Sequence, residues 1–201
     1  MSEKLPWHLA PTLMQDRLVE IGDVIRKARG EAIELYNEEL GDDLWALHCR
    51  SYAWCRNRLI RASEQAEFLW LGIVDKERNS LVFAVGGVAV RFMRGDPDDP
   101  SDKVLRVALA ESQQLSLPFP GSESGGLLWR IVVETHVHGA VKRIVCLGIN
   151  ELTARAEVYY EIPTKGDPGG GVGERFDSAD NVNNQSPPGV ALKSSRSVKN
   201  G

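Results

Sequence analysis

Glu134, His136 and His138 stand at alternate positions in one segment, and their side chains could bind a metal or transfer protons. Alternate side chains of a β-strand project from the same face. A carboxylate beside two imidazoles suits a metal site or an acid–base pair. However, this spacing matches no zinc motif, and a solvated sheet face carries the same residue types. We therefore predict a solvated face, with no catalytic residue, metal or cofactor.

Cys55 and His48 form a second possible pair, a nucleophile with a base seven residues away. This spacing places both on one helical face but about two turns apart, which is too far for a hydrogen bond. The three cysteines include no CxxC pair and lie in apolar sequence. We expect buried, reduced thiols in a cytosolic protein, and core packing for Cys55.

Charge argues against nucleic acid as the direct ligand. The net charge is -4 and the pI is about 5.6, whereas binding through phosphates favours a positive excess. One predicted helix carries a basic cluster: Arg50, Arg56, Arg58 and Arg61. We interpret this cluster as a solvated face paired with nearby acids, and an acidic partner or a DNA backbone is the alternative.

A different kind of chemistry is indicated by the segment Gln114-Leu115-Ser116-Leu117-Pro118-Phe119. It lies between a predicted helix and a Gly/Ser-rich loop, and Pro118 lacks the N–H that a central strand needs. In an extended conformation its apolar side chains alternate and offer anchors for a groove on another protein. The alternative is that Leu117 and Phe119 pack onto the core of their own domain.

This segment resembles the sliding-clamp-binding motif of bacterial replication and repair proteins: Gln, Leu, a small or acidic residue, Leu, any residue, then Leu or Phe. Every specified position matches, with Ser116 as the small residue and Pro118 at the unrestricted one. The resemblance implies that Gln114 hydrogen-bonds at the edge of a groove on the clamp, DnaN, the beta subunit of DNA polymerase III. Leu117 and Phe119 would fill a hydrophobic pocket there, and Leu115 would help to fix the backbone.

Most proteins with this motif use it to tether an enzyme, commonly from a terminal or linker peptide. This chain has no Walker motif, and its segment lies inside the predicted domain. Size, acidic balance and the internal motif together resemble the SocB family, the toxins of SocA–SocB toxin–antitoxin pairs. The resemblance implies a non-enzymatic protein that blocks replication elongation by competing with polymerase and other clamp clients. It also implies a SocA-like antitoxin that acts as a proteolytic adaptor and delivers the chain to the ClpXP protease.

Two rival functions stay open. One is a clamp-tethered DNA-processing enzyme that uses Glu134, His136 and His138. The other is a non-enzymatic phage or plasmid accessory module in which the Leu-Pro-Phe part of the segment is purely structural. The N-terminus lacks signal-peptide features, and no segment approaches the ~20 apolar residues of a membrane span. We therefore expect a cytoplasmic protein without a membrane partner.

The first two predicted elements of the chain are helices. Apolar residues recur at helical spacing from Leu18 to Leu35, and a second such run extends from Leu44 to about Ala62. Gly41 is a suitable helix stop, and Asp42 or Asp43 is a suitable cap for the second helix. The pair predicts an αα-hairpin whose apolar side needs a sheet or a partner to cover it.

After the second helix the apolar residues follow the pattern typical of β-strands. Strands are predicted at 68–74, 81–92, 127–136, 140–149 and 153–162. Gly86-Gly87 inside the second strand indicates a bulge or a close backbone approach, and no P-loop follows it. A short helix is predicted up to Glu111. Short connections favour a meander-like, largely antiparallel sheet of about five strands with the helices on one side, an α+β class.

From Pro163 onward the composition shifts to Gly, Pro, Asn and Ser, with hardly any large apolar residue. Such a segment cannot bury enough apolar surface to offset the entropy of ordering. We predict a single α+β clamp-binding domain over residues 1–162 and a disordered tail over residues 163–201.

Overall fold

The computed structural model describes residues 4–76, 81–101, 105–107, 111 and 126–165. Its helices are α1 (Pro6–Leu9), α2 (Gln15–Glu34) and α3 (Leu44–Ser63), with short 3-10 turns at Glu38–Leu40 and Ala66–Phe68. Its strands are β1 (Leu71–Asp75), β2 (Val82–Val85), β3 (Val88–Arg94), β4 (Leu127–Thr135), β5 (Val141–Asn150) and β6 (Ala156–Glu161).

The predicted helical hairpin is present as α2 and α3. Asp43 caps α3, because its carboxylate accepts a hydrogen bond from the backbone N–H of Ala46 at 2.7 Å. Gly41 does not end α2, which stops at Glu34. It ends instead the 3-10 turn that the Asn37 side chain caps, and its φ of 91° is in the left-handed region.

The strands form one sheet in the order β1 to β6, so the α+β class with a largely antiparallel sheet is confirmed. The predicted second strand is in fact two strands, since Gly86 and Gly87 form a hairpin turn with φ values of 55° and 92°. The predicted bulge at this site is wrong. The close approach is confirmed, because a Cβ on Gly86 would lie 2.6 Å from Cβ of Thr12.

One strand pair departs from the predicted meander. β3 and β4 are parallel, with Arg91 opposite Arg130 in the register. Parallel neighbours need a connection that returns to the starting end of the sheet. Residues 95–126 make this connection, and the segment that resembles a clamp-binding motif lies within it. The predicted helix up to Glu111 falls mostly on residues outside the described part of the chain.

The two faces of the sheet carry different cores. The helices cover one face with a large apolar cluster that includes Leu18, Ile25, Leu59, Phe83 and Ile131. Because side chains alternate along a strand, the neighbouring positions of β4 and β5 point to the other face. There a smaller buried cluster comprises Leu128, Val132, Val145, Leu147 and Ile149, with Leu105 and Val107 packed against it.

The described chain ends shortly after β6. Ile162 is buried, and its carbonyl accepts a hydrogen bond from Nη2 of Arg26 at 2.5 Å. Residues 166–201 lie outside the described residues, so the predicted tail and the domain boundary at residue 162 stay predictions. Among the helices that the structure describes, none has the length and apolar character to cross a bilayer.

Candidate functional site

The segment singled out by its sequence, Gln114, Leu115, Ser116, Leu117, Pro118 and Phe119, lies outside the described residues, as do all of residues 112–125. The structure does describe the residues on either side of it, Glu111 and Gly126. These two residues, with the side chains and backbone groups that bind them, are here called the anchors, and Gln114–Phe119 between them is called the docking segment after the role proposed below.

The entry anchor is a buried ion pair on the sheet face opposite the helices. Both guanidinium Nη atoms of Arg130 donate to the Glu111 carboxylate, one of them at 3.4 Å from Oε2. Arg130 is fully buried and Glu111 is 3% exposed. Burial lowers the pKa of Arg130, and the neighbouring carboxylate opposes that shift. A buried charge in this position is retained because its partner is also buried and hydrogen-bonded to it.

Arg91 extends the entry anchor across the strand pair. Its Nη1 lies 3.4 Å from Oε2 of Glu111. The same Nη1 donates to the carbonyl of Arg106 at 2.9 Å, and Nη2 of Arg130 donates to that carbonyl at 3.3 Å. The two arginines are register partners on β3 and β4. Together they fix the incoming chain at two points, Arg106 and Glu111.

The exit anchor is simpler and consists of backbone groups. The carbonyl of Gly126 accepts a hydrogen bond from the backbone N–H of Glu151 at 3.2 Å. Leu127 then begins β4 opposite Asn150 of β5. Residues 112–125 therefore start and finish at points that are tied to the sheet.

Sequence reasoning missed the entry anchor. Its signal was present, because Arg130 interrupts the apolar run Leu127–Val133, and a charged residue inside such a run needs a buried partner. The identity of that partner is not local information. Glu111 precedes Arg130 by 19 residues and reaches it only through the parallel return of the connection.

Glu134, His136 and His138 do not share a strand face, so this prediction is wrong. β4 ends at Thr135, and both histidines are exposed in the β4–β5 turn. The turn closes through a 2.8 Å hydrogen bond from the N–H of His136 to the carbonyl of Ala140. Among the described residues, no group of three or more His, Cys, Asp and Glu side chains is placed to hold a metal ion.

The carboxylate of Glu134 is engaged by two cations of the next strand. Oε1 accepts from Nζ of Lys142 at 2.7 Å, and Oε2 accepts from Nε of Arg143 at 2.5 Å. Partial burial alone would raise the pKa of Glu134, but these hydrogen bonds outweigh it and lower the pKa below its usual value.

Cys55 is buried in the core as predicted, and its Sγ lies 3.7 Å from the carbonyl oxygen of Ile25. Burial raises the pKa of this thiol to about 11. Cys146 is also buried, whereas Cys49 is exposed, so the prediction that all three thiols are buried is wrong for Cys49.

The basic cluster on α3 is largely paired within the chain. Arg50 binds Asp42 at 2.7 Å, Arg58 binds Glu31, and Arg56 donates to the carbonyl of Lys76. The prediction that the cluster pairs with nearby acids is confirmed for Arg50 and Arg58.

Comparison of this chain with family models, with curated proteins and with solved structures finds no match.

Proposed function

We propose that this chain is a non-enzymatic toxin of the SocB type that binds the bacterial sliding clamp DnaN through Gln114–Phe119. It would act in the cytoplasm and block replication elongation, because polymerase and other clamp clients compete for the same pocket. The observation that carries the proposal is the match of all specified motif positions in Gln114-Leu115-Ser116-Leu117-Pro118-Phe119.

The anchors support this proposal through the entropy of binding. A free peptide loses much conformational freedom when it docks into a groove. Residues 112–125 are already tied to the sheet at Glu111 and at Gly126, so their ends have less freedom to lose.

The expected affinity follows from the side chains of the segment. Burying Leu117 and Phe119 contributes roughly 1.5–3 kcal/mol each before the entropy cost of binding. With Leu115 and the hydrogen bonds of Gln114, the total reaches about -8 kcal/mol, which corresponds to a micromolar complex. An affinity of this order lets the toxin compete for the clamp when it accumulates. The inhibition ends when the toxin is removed.

Removal of the toxin is the second part of the proposal. A SocA-like antitoxin would act as an adaptor that delivers the chain to the ClpXP protease, and residues 163–201 would supply the loose end that such a protease engages. Deleting residues 163–201 should stop adaptor-dependent degradation in a reconstituted reaction. Degradation at an unchanged rate would mean that the protease engages another part of the chain.

The function is tested by primer extension with a clamp-loaded polymerase. The wild-type chain should shorten the products at micromolar concentration, and the variant Gln114→Ala, Phe119→Ala should not. The matched control Ser122→Ala, Ser124→Ala lies in the same connection but outside the motif, and it should inhibit as the wild type does. Inhibition that survives in the double alanine variant, or that also occurs without the clamp, would contradict the proposal.

A further inference from the structure

A small cavity of about 40 Å³ lies between the helical hairpin and the sheet. It is on the sheet face opposite the entry anchor. Arg29 of α2, His48 of α3 and Arg94 of β3 line the cavity. Tyr52, Cys55 and Phe92 also contribute to its wall. The polar side chains therefore come from three different elements.

Arg29 is a buried cation with a neutral partner. It is 4% exposed, and its Nη2 donates to the carbonyl of Gly139 at 3.1 Å. Its Nε is buried and has no hydrogen-bond partner among the described atoms. Within the described part of the chain, Arg29 forms no ion pair with a carboxylate. Burial lowers the pKa of Arg29, and the neighbouring Arg94 lowers it further.

His48 contributes a second unsatisfied donor. Its Nε2 lies against Nη1 of Arg94, and a guanidinium can only donate, so Nε2 must be the acceptor. The ring is then neutral with its proton on Nδ1, in agreement with a pKa that burial and the two arginines lower. That Nδ1 is buried without a partner among the described residues.

The residues that line the cavity therefore include two guanidinium groups and carry two N–H donors without a partner among the described atoms. Cys55 does not supply the missing negative charge, because burial raises the pKa of its thiol to about 11. Leaving a buried cation and its donors without an acceptor is costly. An acceptor that carries negative charge would satisfy both donors and offset the repulsion between the arginines.

We infer that this cavity binds a compact inorganic anion of the chloride class, held by Nε of Arg29 and Nδ1 of His48 beside the Arg94 guanidinium. The size of the cavity supports the assignment, because one water molecule needs a cavity volume of about 10–15 Å³ on the same measure. The present volume of about 40 Å³ accommodates a monatomic anion. The bound anion would link α2, α3 and β3 and so fasten the hairpin to the sheet.

Thermal unfolding of the full chain tests this inference. The midpoint should rise with chloride concentration at constant ionic strength, with sodium gluconate as the replacement salt, because a ligand of the folded state stabilises it by mass action. Chloride-35 NMR supplies a direct readout, in which the folded chain should broaden the chloride signal in excess of an unfolded sample.

Variants separate a site from a general salt effect. Arg29→Met should abolish both the chloride-dependent shift and the excess broadening. Arg94→Gln changes an exposed side chain and should weaken both, which keeps the test valid if Arg29→Met does not fold. Arg155→Gln removes an exposed arginine at the other end of β5 and should respond as the wild type does.

Equal midpoints in chloride and gluconate together with no excess broadening would overturn the inference. So would a wild-type response in folded Arg29→Met. Clamp binding is not part of this test, so its result is independent of the proposed function.

Discussion

The two faces of the sheet are built on different principles. The face under the helices is a large cluster of apolar side chains, from Ala10 to Ile162. The opposite face has a small apolar cluster beside a buried ion pair, Arg130 with Glu111. Apolar burial stabilises the fold in proportion to area, whereas a buried ion pair contributes little net stability and fixes geometry when both partners are present. The large apolar cluster therefore contributes most to stability, and the ion pair on the opposite face fixes Glu111, a residue of the connection that contains Gln114–Phe119.

The largest expected effect comes from breaking the entry anchor on one side. Arg130→Met removes the fully buried partner of the Glu111 carboxylate and leaves Arg91, whose Nη1 lies 3.4 Å from Oε2. We expect a loss of about 3–5 kcal/mol in the free energy of unfolding, since removing one partner of a buried ion pair leaves the other charge poorly compensated. Urea unfolding at neutral pH measures it. A loss below about 1 kcal/mol would contradict this expectation, because it would mean that the Glu111 carboxylate rotates into solvent at little cost.

Replacing both partners separates stability from positioning. Arg130→Met with Glu111→Leu removes both buried charges, and most of the stability lost in the single variant should return. Clamp affinity should nevertheless fall about tenfold, near 1.4 kcal/mol, because the docking segment is no longer fixed at its entry. Calorimetric titration of the clamp measures this. Wild-type affinity in the double variant would show that the anchor does not act on binding.

On the helical face the expected effect is on stability alone. Leu59→Ala removes a fully buried side chain of α3 and should cost about 2–5 kcal/mol. Leu44→Ala on the same helix is the matched control, since Leu44 is 43% exposed and should cost less than about 1 kcal/mol. Clamp affinity of the folded Leu59→Ala protein should equal that of the wild type. Reduced affinity at full folding would contradict the division of roles between the faces.

The smallest effect concerns the surface network at the β4–β5 hairpin. The pKa of Glu134 is lowered in the folded state, so its contribution to stability is present above its unfolded pKa and is lost as the pH falls through the folded value. Glu134→Gln should therefore cost about 1 kcal/mol at neutral pH and progressively less below about pH 4.5.

Urea unfolding of the Glu134→Gln variant at several pH values tests this linkage. Glu64→Gln, which changes an exposed carboxylate at the end of α3, is the control and should leave stability nearly unchanged. The two proteins should differ less in free energy of unfolding as the pH falls. If the difference stays the same in strong acid, the ionised carboxylate is not its source.

Local patterns predicted the local features well. Helical spacing and Asp43 as a cap located α3, and residue types located most strands. Gly86-Gly87 was interpretable as a hairpin turn from its residues, since such turns favour positive φ at both positions. The parallel pairing of β3 with β4 could not be predicted from the sequence pattern. It depends on the end of the sheet to which residues 95–126 return, and the spacing of apolar residues carries no information about that. His136 and His138 were misplaced because the apolar run of β4 ends at Val133 and the strand ends at Thr135.

The most direct test of the central claim is the affinity of the purified clamp for the full chain, measured by calorimetry beside the variant Gln114→Ala, Phe119→Ala. Circular dichroism establishes that the variant is folded. We predict a dissociation constant of about 1 µM or tighter for the wild type, since about -8 kcal/mol is expected, and no measurable binding by the folded variant. Absence of binding by the wild type, or unchanged affinity in the variant, would contradict the assignment of Gln114–Phe119 as a clamp-docking segment.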